Sequence, residues 1–167
     1  LVELDKVLKS EPDESNAIQK KIEILYLMKK YEECVDFAGR LPKSVELSLH
    51  SLLALADSYA NLKNGRAIEY FDRVLQLDPK NNLALFHKAK FYHEMKMFDK
   101  SLKASEEGLK FYRDDLDLLE LKGKSLIELD RSSEALKVSK EMLRLNSMNS
   151  WAVSTKNKLS KKVKDEI

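Results

Sequence analysis

The sequence predicts an all-α chain built from antiparallel helix pairs, and three observations carry that prediction. Only four Gly and three Pro interrupt 167 residues, so tight turns are few. Leu, Lys, Glu and Ala recur at helical spacing, whereas the usual strand signal, β-branched and aromatic runs bounded by Gly or Pro, is missing. Small residues return roughly every 34 positions, the mark of a repeat.

The elements follow in chain order. Residues 1–14 read as the second helix of a preceding partial repeat, with Leu4, Val7 and Leu8 forming its apolar stripe and Pro12 closing it. Because the chain opens Leu1-Val2-Glu3, without Met and inside an amphipathic pattern, the expectation is an excerpt from a longer protein. Residues 15–48 form a divergent first repeat, with Ile18, Ile22 and Leu25 in its first helix and Cys34 in its second. Pro42 falls where that second helix would continue and should end or kink it early. Residues 49–81 form a second repeat, carrying Leu52, Leu55 and Tyr59, then Phe71, Val74, Leu75 and Leu77. Residues 82–115 form a third, with Leu85 and Tyr92, then Leu102, Leu109 and Phe111. Residues 116–149 form a fourth, with Leu119 and Leu126, then Leu136, Met142, Leu143 and Leu145. Residues 150–167 read as a lysine-rich amphipathic capping helix and tail.

A fixed register underlies these repeats. In the first helices Ile22, Ala56, Ala89 and Gly123 lie 34, 33 and 34 residues apart; in the second helices Cys34, Ala67, Ser101 and Ala135 lie 33, 34 and 34 apart. Helices joined by a short turn approach closely only where the side chain is small, which explains the recurrence. One helix pair cannot bury both its stripes, so the pairs must stack. The spacing of 33 reflects one residue missing between Ala56 and Ala67, and a tighter Asn64-Gly65 turn is its expected site.

The pattern Leu52-x2-Leu55-Ala56-x2-Tyr59, then Ala67-x3-Phe71, then Asp78-Pro79, resembles the tetratricopeptide repeat, whose signature is W-x2-L-G-x2-Y, A-x3-F and P. Departures are Lys88 and Lys122 where that family usually has Leu, and Arg113 and Ser147 where the second repeat has Pro79. The resemblance covers about residues 15–148 and implies a right-handed superhelical α-solenoid whose first helices line a concave groove. It makes Leu53, Asp57, Asn61, Phe86, His87, Lys90, His93, Glu120 and Lys124 candidates for contact with a peptide or partner protein. Phe86, His87 and Leu53 form the most apolar part of that strip, and an exposed aromatic there would serve as an anchor.

Other function classes are disfavoured by chemistry. Thirty basic against twenty-eight acidic residues, a net charge of +2, give too weak a field for a dedicated nucleic-acid binder. No apolar run is long enough to span a membrane, and the single cysteine, Cys34, points to a reducing compartment, with the cytoplasm favoured. No nucleophile, base or metal-ligand set has useful spacing; His87 and His93 are six apart and face different sides of a helix. No catalytic residue, metal or cofactor is therefore expected. The resembled repeats that grip chaperone C-termini set Lys and Asn on one first helix, Asn on the next, and Lys and Arg on the third, at positions that here hold Gln19, Glu23, Ala54, Leu83 and His87, or Leu53, Asp57, His87, Asp117 and Leu121, which argues against such a clamp. The expected function is a protein–protein interaction scaffold; the alternatives are self-association into a homo-oligomer, and single-stranded RNA binding as the weaker one.

Overall fold

The computed structural model describes residues 1–11, 14–42 and 44–165. Among these residues it contains ten helices and no strand. They are α1 Val2–Ser10, α2 Ser15–Leu27, α3 Tyr31–Gly39, α4 Leu49–Asn61, α5 Arg66–Leu77, α6 Asn82–Glu94, α7 Phe98–Leu109, α8 Leu116–Glu128, α9 Ser132–Leu145 and α10 Ser150–Asp165. The all-α class is thus observed, in two compact units, Leu1–Ala84 and Leu85–Ile167. Helix α6 starts at the close of the first unit and belongs to the second from Leu85 onward.

One capping device recurs. The side chains of Glu14, Ser48, Asn81, Asp115 and Asn149 accept hydrogen bonds from the backbone N–H groups of Ala17, Ser51, Ala84, Leu118 and Ala152. Each satisfies a donor that the first helical turn would leave orphaned. These caps are 34, 33, 34 and 34 residues apart, so α2, α4, α6, α8 and α10 all begin in one register. Pro12, the expected close of the first segment, lies outside the described residues.

The helix ends recur as well. Past α2, α4, α6 and α8 the chain turns through Lys29, Lys63, Lys96 and Asp130, all left-handed with φ between 53 and 58°. The N–H of the next residue then reaches back five positions, as in Lys30 to Leu25 at 2.9 Å, Asn64 to Tyr59 at 2.9 Å, Met97 to Tyr92 at 2.8 Å and Arg131 to Leu126 at 2.9 Å. This is the Schellman closure, made here without glycine.

The missing residue of the 49–81 segment is not in an Asn-Gly turn. Gly65 is right-handed, with φ −60°, because Lys63 already occupies the left-handed position. The loss is absorbed one step later: Ala67 and Ile68 bond three residues back, to Asn64 and Gly65, whereas Cys34, Ser101 and Ala135 bond four back. A tighter first turn of α5 replaces a tighter loop. Helix α3 stops at Gly39, short of Pro42, as the sequence leads one to expect. Its early end leaves a depression of about 340 Å³ between Leu41, Pro42, Val45 and Leu47 and the α5 side chains Arg66, Tyr70 and Arg73.

In the first unit the core is Ile18, Ile22, Leu25, Cys34, Leu52, Leu55, Ala56, Tyr59, Ala67, Phe71 and Val74, all buried. Helix α1 buries no side chain, and an ion pair of 2.6 Å from Asp5 to Lys21 ties it to α2. In the second unit Leu102, Leu119, Leu126, Leu136, Val138, Met142, Ala152 and Leu159 form one cluster, and Ala89, Ala104, Leu118 and Leu121 another. Three residues expected in the second-helix stripes sit outside these cores. Leu77, Phe111 and Leu145 are 64%, 47% and 44% exposed, because the buried stripe ends one turn earlier, at Val74, Gly108 and Met142.

Candidate functional site

The second unit holds a cavity of about 550 Å³ built from three helices that share one N-cap register. Helix α6 contributes Phe86, Lys90, His93 and Glu94; α8 contributes Asp117, Glu120, Leu121, Lys124, Ile127 and Glu128; α10 contributes Trp151. The α6 and α8 residues recur at three and four, which puts each set on one helix face. Trp151 comes within reach because of Gly123: a Cβ built there would lie 2.2 Å from Trp151 Cη2, so the indole packs directly on the bare α8 backbone. Gly123 thus serves as a seat for an aromatic wall as well as a site of close helix approach.

The cavity's two lysines are held by neighbouring carboxylates. Lys124 Nζ lies 2.6 Å from Glu120 Oε1, and Lys90 Nζ lies 3.7 Å from Glu94 Oε1, both one turn apart on their own helix. His93 is half-buried, its ring edge-on to Phe98 at 5.3 Å, and Nδ1 stands 3.3 Å from Ser125 Oγ. Ser125 donates to Ser101 Oγ at 3.0 Å, and Ser101 donates to the Ala89 carbonyl at 2.9 Å. Both serines are fully buried, so this His–Ser contact is the outer end of a packing network and offers no hydroxyl to a ligand. Burial, with Lys124 nearby, pushes the His93 imidazole below its usual pKa range.

Five of the nine residues singled out from sequence therefore line one cavity: Phe86, Lys90, His93, Glu120 and Lys124. His87 is half-buried beside it, its ring edge-on to Phe86 at 5.5 Å, and is not part of the lining. Leu53, Asp57 and Asn61 stand on α4 in the first unit. Leu53 is half-buried and Asn61 exposed, whereas Asp57 is buried and accepts a hydrogen bond from Tyr26 at 3.3 Å. Asn61 donates to the Asp57 carbonyl at 2.8 Å. Burial, with the Asp57 carboxylate alongside, pushes the Tyr26 phenol up to about 12. Sequence reasoning missed Trp151 and Ile127; the Trp151 signal was its place second after a cap, in register with Asp117 on α8.

Among the described residues no group of three His, Cys, Asp or Glu side chains could hold a metal ion, and no helix is long and apolar enough to cross a membrane. Cys34 is buried, and desolvation pushes its thiol up, which keeps it a packing residue.

Comparison with known proteins agrees with this architecture. Residues 49–81 match the family model of the tetratricopeptide repeat. No curated protein matches the sequence. Among solved structures, the fold is similar to YrrB, described as a TPR protein with an unusual peptide-binding site, at TM-score 0.80 and 15% identity over 92% of this chain and 80% of that one. It is similar to MamA from Desulfovibrio magneticus RS-1, at TM-score 0.77 and 16% identity over 92% and 87%. It is also similar to the first TPR of Spaghetti (RPAP3) bound to the HSP90 peptide SRMEEVD, at TM-score 0.63 and 21% identity over 69% and 92%.

Proposed function

From a chain whose residues 49–81 are a tetratricopeptide repeat and whose helices share that fold, we propose a protein-interaction module that performs no catalysis of its own. Four repeats, 15–48, 49–81, 82–115 and 116–149, make up its body, with the partial repeat 1–14 before them and the helix of 150–167 after. The occupant is a peptide or a linear segment of a partner protein, seated between α6, α8 and α10. The cavity of about 550 Å³ carries this reading, since it joins an aromatic wall to a ring of charged side chains and is large enough for several residues of a chain. The described peptide-binding site of YrrB and the peptide held by the Spaghetti repeat support the class.

The test is a displayed peptide library panned on the chain, with the recovered peptides then titrated against Phe86→Ala. Truncating an anchor at the centre of such a site should weaken them by roughly tenfold or more. Recovered peptides that bind Phe86→Ala as well as the parent, or a library that yields no binder, would count against the site.

A further inference from the structure

The cavity's charge specifies its occupant more narrowly than the fold does. Four carboxylates line it, Glu94, Asp117, Glu120 and Glu128, against two lysines, Lys90 and Lys124. Because Glu94 and Glu120 already engage those lysines, the surplus of two negative charges resides on Asp117 and Glu128. Among the described residues neither has an ion-pair partner. They stand at opposite ends of α8, eleven residues and hence about 16 Å apart along the axis. Between them lie the apolar elements, Leu121 on α8, Phe86 on α6 and the Trp151 indole over Gly123.

We propose that this cavity selects a basic segment in which two Lys or Arg side chains flank an apolar centre, the cations meeting Asp117 and Glu128 and the apolar residues lying on Phe86 and Trp151. The inference rests on the groove reading above and adds its chemistry. An extended strand advances about 3.3 Å per residue and alternates its faces. Cations six positions apart therefore share one face with the apolar residues between them and span about 20 Å, which their flexible stems close to the two carboxylates. The aromatic wall favours the same occupant, since a cation or its alkyl stem packs well on an indole face. An acidic peptide would bring like charge against both ends.

The single tryptophan of the chain, Trp151, lines the cavity and reports occupancy by its emission. Three capped peptides form the probe set: Lys-Ala-Leu-Ala-Leu-Ala-Lys, its Gln-for-Lys counterpart and its Glu-for-Lys counterpart. The lysine peptide is expected to shift Trp151 emission and to bind roughly tenfold tighter than the glutamate peptide at low salt, the margin shrinking as salt rises. Asp117 and Glu128 are exposed, so Asp117→Asn and Glu128→Gln should fold normally. Together they should remove most of the lysine preference, bringing the lysine peptide to within about twofold of the glutamine peptide. Equal binding of all three peptides, a preference for glutamate, or a lysine preference that survives the double variant overturns the charge assignment while the groove reading stands. If none of the three moves Trp151 and the library also yields no binder, the groove reading falls and takes this inference with it.

Discussion

At equivalent positions of the two units the same backbone carries opposite chemistry. Tyr26 on α2 corresponds to His93 on α6, and Asp57 on α4 corresponds to Lys124 on α8, each 67 residues apart. In the first unit the tyrosine donates to a buried aspartate. Gln19, at the position of Phe86, bridges the chain before α4, donating to the Glu46 carbonyl at 2.9 Å and accepting from the Ser48 N–H at 3.0 Å. Glu23, at the position of Lys90, accepts from Ser51. The first unit spends its inward polar groups on holding its own helices. In the second unit Lys90 and Lys124 pair along their own helices, His93 reaches across, to Ser125, and a cavity with an aromatic wall is left. The strip that stays open differs from the one that closes on itself in its charged side chains: Lys90 and Lys124 pair along their helices, whereas Glu23 and Asp57 accept hydrogen bonds from a neighbouring helix.

The largest way to break this contrast is at the small position of the first helix. Ala56 in the first unit already carries a Cβ and is fully buried, while Gly123 in the second leaves the space that Trp151 fills. Gly123→Ala should push the indole out of its seat and destabilise the second unit by about 1–3 kcal/mol, the usual cost of overpacking. Trp151 emission should shift to the red in the same variant. Ala56→Gly should cost about 1–2 kcal/mol, from backbone freedom and one lost buried methyl, and leave the emission where it is. An unmoved emission spectrum in Gly123→Ala, or an equal shift in Ala56→Gly, would show that the indole is not held where the structure has it.

A second test uses opposite ends of the pH scale. The His93 pKa is lowered on folding, so protonation works against the folded state, and stability present above the ordinary value of 6.5 should fall as pH drops through and below it. The Tyr26 pKa is raised from 10.0 to about 12, so stability present below pH 10 should be lost as pH rises through that interval. Thermal melts followed by circular dichroism should show the acid limb flatten in His93→Gln and the alkaline limb flatten in Tyr26→Phe. A limb that keeps its slope in its own variant assigns the titration to another group.

How much of this was legible in the sequence depends on the range over which a signal acts. The small positions, Ile22 through Gly123 and Cys34 through Ala135, could be aligned because helix packing imposes them at fixed spacing, and the positions of Phe86, Lys90, His93, Glu120 and Lys124 followed from that register. Trp151 was missed as a wall because its contact with Gly123 spans 28 residues and depends on how far an indole reaches across two helices. The exposure of Leu77, Phe111 and Leu145 was missed because periodicity extends a stripe to the end of a helix regardless of whether a neighbour is still there to cover it. Asn64-Gly65 looked like the compressed turn because Asn-Gly favours left-handed geometry, yet the left-handed residue is Lys63, which has no such preference.

That lysine gives the smallest and most discriminating test of the shared scaffold. Lys29 and Lys63 in the first unit, and Lys96 in the second, hold a left-handed conformation that costs an L-residue roughly 1–2 kcal/mol, and their side chains are exposed. Glycine removes that strain but brings back chain entropy worth roughly 0.5–1 kcal/mol. Each Lys→Gly change should therefore stabilise by a few tenths to about 1 kcal/mol, and by similar amounts in both units, because all three turns share the five-back hydrogen bond. Single variants compared by urea midpoint at constant slope would check this. A gain confined to one unit would mean that the turns differ in their tension. Equal gains would place the difference between the units in the inward side chains and leave the repeated backbone out of it.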